Sequence, residues 1–388
     1  MQKKITFRSV KLRPSNNIFI LLILIMSFFM KPIFAIEFDA KVTKNTPLVT
    51  SSIPVFNTLQ SAINAAPKDS ADKFVIQIEP GIYHERIIIN KRNITLIGVG
   101  QSPEDTLISF DLYAGYIPHG EVQSIGTYNT ATMEINSADF YAENLTIANS
   151  FDYPAIEKLD DDDAGKVSGK QAVALKVGVN ADRSTFNNII LKGYQDTLFI
   201  DGGVSYFYNS KIYGHIDFIF GAGNALFEKS TIINLPLNRP LKHTGFITAP
   251  STLSEQEYGL TFIECRFEKA KGVPDKSVPL GRPWHPTTQF KDGRYANPNA
   301  IGKSVFIRSF LDSHITDEGW TSMHGTARDG TKSDIFYPQD ARFFEYKNYG
   351  PGAKTHHERR QLTAEQAKRY NKEKILNGWV PILNLNAN

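Results

Sequence analysis

The chain predicts an all-β fold, a right-handed parallel β-helix (a solenoid) closed by short terminal helices. Three observations predict it. The body of the 388 residues is a succession of short segments rich in Val, Ile, Thr and Phe, separated by Gly, Asn, Asp and Pro. Helix signals occur only near the two ends. The middle repeats itself in phase: segments 184–193, 205–214 and 225–234 align, which places Phe186, Phe207 and Phe227 at intervals of 21 and 20. Such a period, with short strands and no helix between them, marks stacked β-coils that bury their apolar faces on one another. An antiparallel sandwich also yields many short strands, but it does not require in-phase repetition.

Taken in order, residues 1–35 hold Lys3, Lys4, Arg8, Lys11, Arg13 and Lys31, no acidic residue, and a 13-residue apolar run at 18–30. A charged start, a short apolar run and a small residue at Ala35 predict a cleaved secretory signal peptide. A membrane anchor is the competing reading, but the run falls short of the roughly 20 residues that span a bilayer. Ile33 departs from the small residue preferred before a cut. Residues 36–388 are then expected to form one β-helix domain.

A helix is expected over 59–66, with Asn57 and Gln60 as its cap and Pro67 as its stop. Strands are expected at 74–78, 86–90, 94–98, 144–148, 172–177 and 188–192, with weaker echoes of the repeat at Phe140, Phe262 and Phe306. Two loops interrupt the coils. Loop 150–170 carries four consecutive aspartates, 160–163, which reads as a solvated face rather than a calcium site. Loop 271–298 is rich in Pro, Gly and Asp. Near the end, Thr363 and Gln366 form a capping-box pattern and Gly378 is a helix stop. The terminal helices would cover the open ends of the sheets.

Composition excludes several classes. Hydrophobic residues at 41% and charged residues at 21% exclude global disorder. The single cysteine, Cys265, excludes an intrachain disulfide and any Cys-based metal cluster. The formal charge of +3 belongs to the N-terminal segment; without it 37 basic residues face 40 acidic ones, which argues against nucleic acid as a partner. There is no G-x-S-x-G elbow, zinc helix or phosphate-binding P-loop. His356 and His357 adjoin Glu358 and Arg359 in what reads as a surface stretch.

The repeat itself points to chemistry. Asp196 and Asp217 are 21 residues apart, each three residues after a repeat glycine, Gly193 or Gly214. Residues one period apart stack on neighbouring strands about 4.8 Å apart. Two adjacent carboxyl groups do not both ionise easily, so the pair would supply an acid and an anion together. Two turn aspartates capping local backbone would give the same spacing. Gln171 and Gln195 are candidate donors to a developing oxyanion, although amide ladders in solenoids are commonly structural. In Leu280-Gly-Arg-Pro-Trp284, Arg282 is a candidate to pin one aspartate as an anion and Trp284 to stack on a sugar; a packed Trp beside a surface Arg is the plainer alternative.

Five ordered fragments together resemble the pectin methylesterase (pectinesterase) family: Gly81-Ile-Tyr-His-Glu85, Gln171-Ala-Val-Ala-Leu175, Gly193-Tyr-Gln-Asp-Thr-Leu198, Gly214-His-Ile-Asp-Phe-Ile-Phe-Gly221 and Leu280-Gly-Arg-Pro-Trp284. The similarity covers roughly residues 45–380. His285-Pro-Thr-Thr288 and Asp292-Gly-Arg-Tyr295 look more like the enterobacterial secreted members than the plant ones.

The resemblance implies a right-handed parallel β-helix that hydrolyses galacturonate methyl esters in pectin, with no metal or organic cofactor. It implies Asp196 as general acid/base, Asp217 as nucleophile, Gln171 and Gln195 as oxyanion donors, Arg282 as the residue orienting the nucleophile, and Trp284 as the sugar-stacking residue. Thr127, Thr287 and Met323 align with substrate-contacting positions, and Phe199 and Phe220 are expected beside them. Phe199 departs from the Tyr many members carry, and His215 stands where a small or β-branched residue is usual; it would either perturb Asp217 or point into solvent. Methylated pectin is the expected partner, with no nucleic acid and, after signal cleavage, no membrane. A monomer exported to the periplasm or beyond is expected. The rivals are a β-helix glycoside hydrolase acting on pectin and a non-catalytic carbohydrate-binding solenoid.

Overall fold

The computed structural model describes residues 36–44, 52–68, 71–237 and 241–383. The signal peptide expected at 1–35 lies outside the described residues. The solenoid spans Phe38–Pro381 as one compact unit.

Among the described residues three parallel sheets of 11, 8 and 6 strands form the solenoid, and a coil in its middle donates one strand to each. One coil is Ser184–Asn187, Ile190–Lys192 and Leu198–Ile200; the next is Val204–Tyr208, Lys211–Gly214 and Ile216–Gly221. Every pairing between these coils is parallel. This is the right-handed parallel β-helix the repeat predicts.

The repeat phenylalanines form its spine. Phe186, Phe207, Phe227, Phe262 and Phe306 occupy one register position on successive strands. Their rings stack with centroids 4.4, 4.7, 4.5 and 4.8 Å apart, all without solvent exposure. Offset stacking of this kind adds to the burial of each ring. Phe140 is the exception. Ala142, not Phe140, pairs with Phe186, so Phe140 enters the core from two residues earlier and its ring is tilted by 47°.

Each coil turns a corner through one residue in the left-handed region: Asn144 (φ 55°), Asn188 (φ 50°) and Asn209 (φ 48°). Asparagine tolerates this region better than most residues. The three also bond to one another, Asn188 Nδ2 donating to Asn144 Oδ1 at 3.1 Å and Asn209 Nδ2 to Asn188 Oδ1 at 3.5 Å. This corner shortens two expected strands, which begin at Thr146 and Ile190. The strands at Phe74–Ile78 and Ile94–Gly98 are as expected, while those expected at 86–90 and 172–177 shrink to Ile87–Ile89 and Leu175–Val177.

The N-terminal helix, Leu59–Ala65, is capped by Thr58 rather than Asn57. Glu85 accepts from the backbone N–H groups of Leu59 and Gln60, and Gln60 bonds both backbone groups of Ile88. Gln60 therefore satisfies the exposed edge of the six-stranded sheet, which is why its amide does not serve the helix cap. Near the C-terminus the Thr363–Gln366 capping box is present, but the helix stops at Ala367. A second short helix, Lys372–Ile375, is capped by Asn371, and Gly378 (φ 77°) follows it.

Two features correct the sequence expectation. A helix at Tyr153–Lys158, with Asp152 as its N-cap, lies inside the acidic loop. Two antiparallel ribbons project from the parallel coils, Thr287–Phe290 with Gly293–Ala296 and Met323–Gly325 with Asp334–Phe336. Asp160–Asp163 are exposed, as a solvated face requires. Among the described residues no helix is long and apolar enough to cross a membrane.

Candidate active site

The six-stranded sheet positions the two aspartates. Leu198 pairs with Ile219 and Phe199 with Phe220, an offset of 21 that carries Asp196 onto Asp217. The backbone N–H of Asp196 donates to the carbonyl of Ile216 at 3.0 Å, which ties the two turns together. Both aspartates adopt left-handed backbone, φ 64° at Asp196 and φ 49° at Asp217. The glycines before them are there for close approach: a Cβ on Gly214 would sit 2.2 Å from the Cβ of Phe218.

The pair is electrostatically asymmetric. Arg282 grips Asp217 with two parallel hydrogen bonds, Nε to Oδ1 at 2.8 Å and a terminal nitrogen to Oδ2 at 2.6 Å. Its guanidinium lies 3.8 Å from the centroid of the Phe246 ring. Bidentate geometry over an aromatic face is the strong form of this ion pair. Asp196 has no such partner. Burial, and then the negative charge of Asp217, push its carboxyl well above the usual carboxylate range, with Arg282 opposing more weakly. The site therefore holds an anion and a neutral acid side by side.

A cleft of about 280 Å³ opens over the pair, lined by Thr127, Tyr128, Gln171, Gln195, Phe220, Ala249, Arg282, Trp284 and Met323 besides the two aspartates. Gln171 and Gln195 stand on adjacent coils, joined where the backbone N–H of Ala172 donates to the carbonyl of Gln195 at 3.1 Å. Both are half-buried, and neither amide side chain bonds to another described residue. Two donor groups thus remain for a ligand oxygen. Trp284 is half-buried, its ring set edge-on against Phe220 at 5.6 Å, in a small apolar cluster with Ala131, Val173 and Phe199.

Nine of the eleven expected site residues line this one cleft. Phe199 and Thr287 do not. Phe199 is buried beneath the cleft floor, sandwiched between Phe220 at 4.6 Å and Tyr128 at 5.3 Å. Thr287 shares a hydrogen bond with Thr326 that links the two ribbons. His215 neither reaches solvent nor carries charge. It is fully buried, accepts from the backbone N–H of Ile216 through Nδ1 at 2.7 Å, and packs edge-on against Tyr153. Burial, with a smaller effect from Lys170, lowers its pKa to about 3. Sequence reasoning missed Tyr128 and Phe246. Tyr128 follows Thr127 in a short 3₁₀ turn and offers no pattern of its own; Phe246 is 36 residues before Arg282 and meets it only through the coil register.

Comparison with known proteins agrees with this geometry. The family model described as Pectinesterase matches residues 50–378. Pectinesterase A of Dickeya chrysanthemi is 41% identical over 353 residues, covering 90% of this chain and 93% of that protein. A crystal structure of a pectin methylesterase in complex with a hexasaccharide superposes with a TM-score of 0.85 at 42% identity, covering 90% of this chain and all of that one. The pectin methylesterase from Yersinia enterocolitica superposes with a TM-score of 0.80 at 43% identity, covering 84% of this chain and all of that one. With the whole cleft inside the matched span, the chain belongs to the pectinesterase family of carboxylic ester hydrolases.

Proposed function

We propose that the enzyme hydrolyses methyl esters of galacturonate units in pectin, with Asp217 as nucleophile and Asp196 as acid/base. The observation that supports this best is the asymmetry of the pair, one carboxylate clamped by Arg282 and one carboxyl buried beside it with a raised pKa. Asp217 attacks the ester carbonyl and forms a tetrahedral intermediate. Gln171 and Gln195 donate to the oxyanion, and Asp196 gives its proton to the departing methanol. The resulting acyl-enzyme is an anhydride between Asp217 and the galacturonate carboxyl. Asp196, now a carboxylate, takes a proton from water as that water attacks. The anhydride breaks, a free galacturonate leaves, and both aspartates regain their starting states. These steps use only side chains and water.

We read residues 1–35 as an export signal cut after Ala35, so that residues 36–388 act as a monomeric catalytic domain in the periplasm or outside the cell. The test of activity is methanol assayed from methylated pectin together with reducing ends. Methanol without new reducing ends is the expected result. New reducing ends without methanol would mean glycosidic cleavage and would overturn the proposal.

The protonated state of Asp196 has a stability consequence. Its folded pKa lies above the unfolded value of about 3.9. Between those two values the native state binds more protons than the unfolded state, so stability falls as pH rises through that window. Asp196→Asn removes the effect. The variant is expected to be inactive and to melt above the wild type, by a margin that widens as pH rises from about 4. A melting-temperature difference that stays flat with pH would mean that Asp196 is ionised in the native protein.

Trp284→Ala is expected to raise KM for pectin roughly tenfold, about 1.4 kcal/mol of binding, with little change in melting temperature. A core aromatic would instead cost about 3–5 kcal/mol of stability. A collapsed melting temperature with unaltered KM in the surviving fraction would make Trp284 a packing residue.

A further inference from the structure

Three residues stand just before the turns assigned to the chemistry. Lys170 precedes Gln171, Tyr194 precedes Gln195, and His215 lies two residues before Asp217. They come from three separate turns, yet all meet one side chain, Tyr153, the first residue of the helix Tyr153–Lys158. The Lys170 ammonium lies 4.9 Å from the centroid of the Tyr153 ring. The Tyr194 ring stacks on it at 5.9 Å, and the His215 imidazole meets it edge-on at 4.4 Å. Tyr153 itself is 4% exposed and is not among the residues that line the cleft.

Backbone hydrogen bonds carry this contact to the site. The His215 N–H donates to the carbonyl of Tyr194 at 2.9 Å, and its Nδ1 accepts from the N–H of Ile216 at 2.7 Å. The Ile216 carbonyl in turn accepts from the N–H of Asp196 at 3.0 Å. The His215 carbonyl accepts from the N–H of Phe246 at 2.7 Å, and the Phe246 ring lies against the Arg282 guanidinium. Asp196 and Asp217 both occupy left-handed backbone, which residues other than glycine keep only where their surroundings enforce it. The helix that carries Tyr153 has six residues, too few to be stable alone. It is held by Asp152, which accepts from the N–H of Ala155 at 3.1 Å, and by the buried Glu157, which pairs with Lys170. Lys170 thus ties both Tyr153 and Glu157 to the residue before Gln171.

We propose that Tyr153 is a positioning residue for the ester hydrolysis. From outside the cleft, its ring holds the turns of Gln171, Gln195 and Asp217 at one mutual spacing, and the helix Tyr153–Lys158 is the brace that keeps the ring in place. The oxyanion donors and the nucleophile come from different coils, so their relative placement is only as good as the contact between those coils. Small displacements of such groups slow the chemical step without weakening binding of the substrate elsewhere. Tyr153 takes no part in the chemical steps, and its role rests on the reaction assigned above.

The test measures kcat and KM for methanol release from methylated pectin, with melting temperatures, for Tyr153→Leu, Tyr153→Phe, Tyr194→Leu and the double variant Tyr153→Leu with Tyr194→Leu. Tyr153→Leu keeps apolar bulk and loses the ring; it is expected to lower kcat by about 10- to 100-fold with KM within about twofold of wild type. Tyr153→Phe restores the ring and is expected to recover kcat to within about threefold. Tyr194 is half-buried, so Tyr194→Leu is the milder change and decides the matter if Tyr153→Leu does not fold. It is expected to lower kcat by about 3- to 10-fold, and the double variant should be no more than about twofold slower than Tyr153→Leu, because both act through one contact. Four results would overturn the role. KM rising at constant kcat would mean that the ring touches substrate. A lower melting temperature with kcat unchanged would mean packing alone. Tyr153→Phe as slow as Tyr153→Leu would mean that the ring is not the working part. Multiplying losses in the double variant would mean that the two residues act separately. No methanol from the wild type would instead overturn the activity assigned above.

Discussion

Asp217→Asn is expected to lower kcat for methanol release by about 10⁴- to 10⁶-fold, the scale seen when a covalent nucleophile is lost. The amide is nearly isosteric and still accepts a bond from Arg282, so the cleft should keep its shape; what disappears is the attacking anion. Gln195→Ala provides the contrast. Gln171 remains as an oxyanion donor, and losing one of two donors typically costs about 10²- to 10³-fold. Single-turnover kinetics on both variants, at one substrate concentration and with melting temperatures checked, separate the two roles. Equal losses would remove Asp217 from its special position, and an Asp217→Asn variant with a few per cent of wild-type activity would rule out the covalent route.

Phe207→Ala is expected to destabilise the fold by about 3–5 kcal/mol, the usual cost of truncating a buried phenylalanine. Phe207 has no exposed surface and stacks between Phe186 at 4.4 Å and Phe227 at 4.7 Å. In a solenoid each coil is stabilised mainly by its two neighbours, so a cavity in a middle coil weakens two interfaces at once. Urea unfolding should show the loss as a lower midpoint. Ile82→Ala is the control: Ile82 is 68% exposed, and its loss should stay within about 0.5 kcal/mol. A Phe207→Ala effect below about 1 kcal/mol would mean that the coils relax to fill the gap and that the phenylalanine spine is not a principal source of stability.

The aspartate pair was legible because nothing is inserted between its two coils. Phe186 to Phe207 and Asp196 to Asp217 share an offset of 21, so position in the period converts directly into position in space. Insertions break that conversion. Phe262 to Phe306 spans 44 residues yet occupies adjacent strands, because the ribbon of Thr287–Phe290 and Gly293–Ala296 leaves the coil before the chain returns to it. Arg282 and Trp284 lie just before that excursion, where their backbone N–H groups donate to the carbonyls of Thr248 and Pro250 on the neighbouring coil. Their arrival over Asp217 and Phe220 followed from the family resemblance, not from the periodicity. The helix at Tyr153–Lys158 was obscured similarly, because its short apolar side packs on Tyr194 and Ile216, which are distant in sequence.

By itself the sequence determined the coil period, the phenylalanine spine and the pairing of Asp196 with Asp217, because parallel coils repeat a local pattern at constant rise. The repeat leaves the two aspartates equivalent, and the tertiary structure sets them in different surroundings. That difference arises from the bidentate grip of Arg282 on Asp217 and the burial of Asp196, and both depend on groups brought in from other coils rather than on the repeat itself. It also decided that His215 is a neutral packing residue, that Phe199 supports the cleft floor, and that Tyr128 stands at the edge of the cleft beside Lys176. Charge, burial and access are set by groups that converge from separate coils and loops, and their convergence has no fixed spacing along the chain.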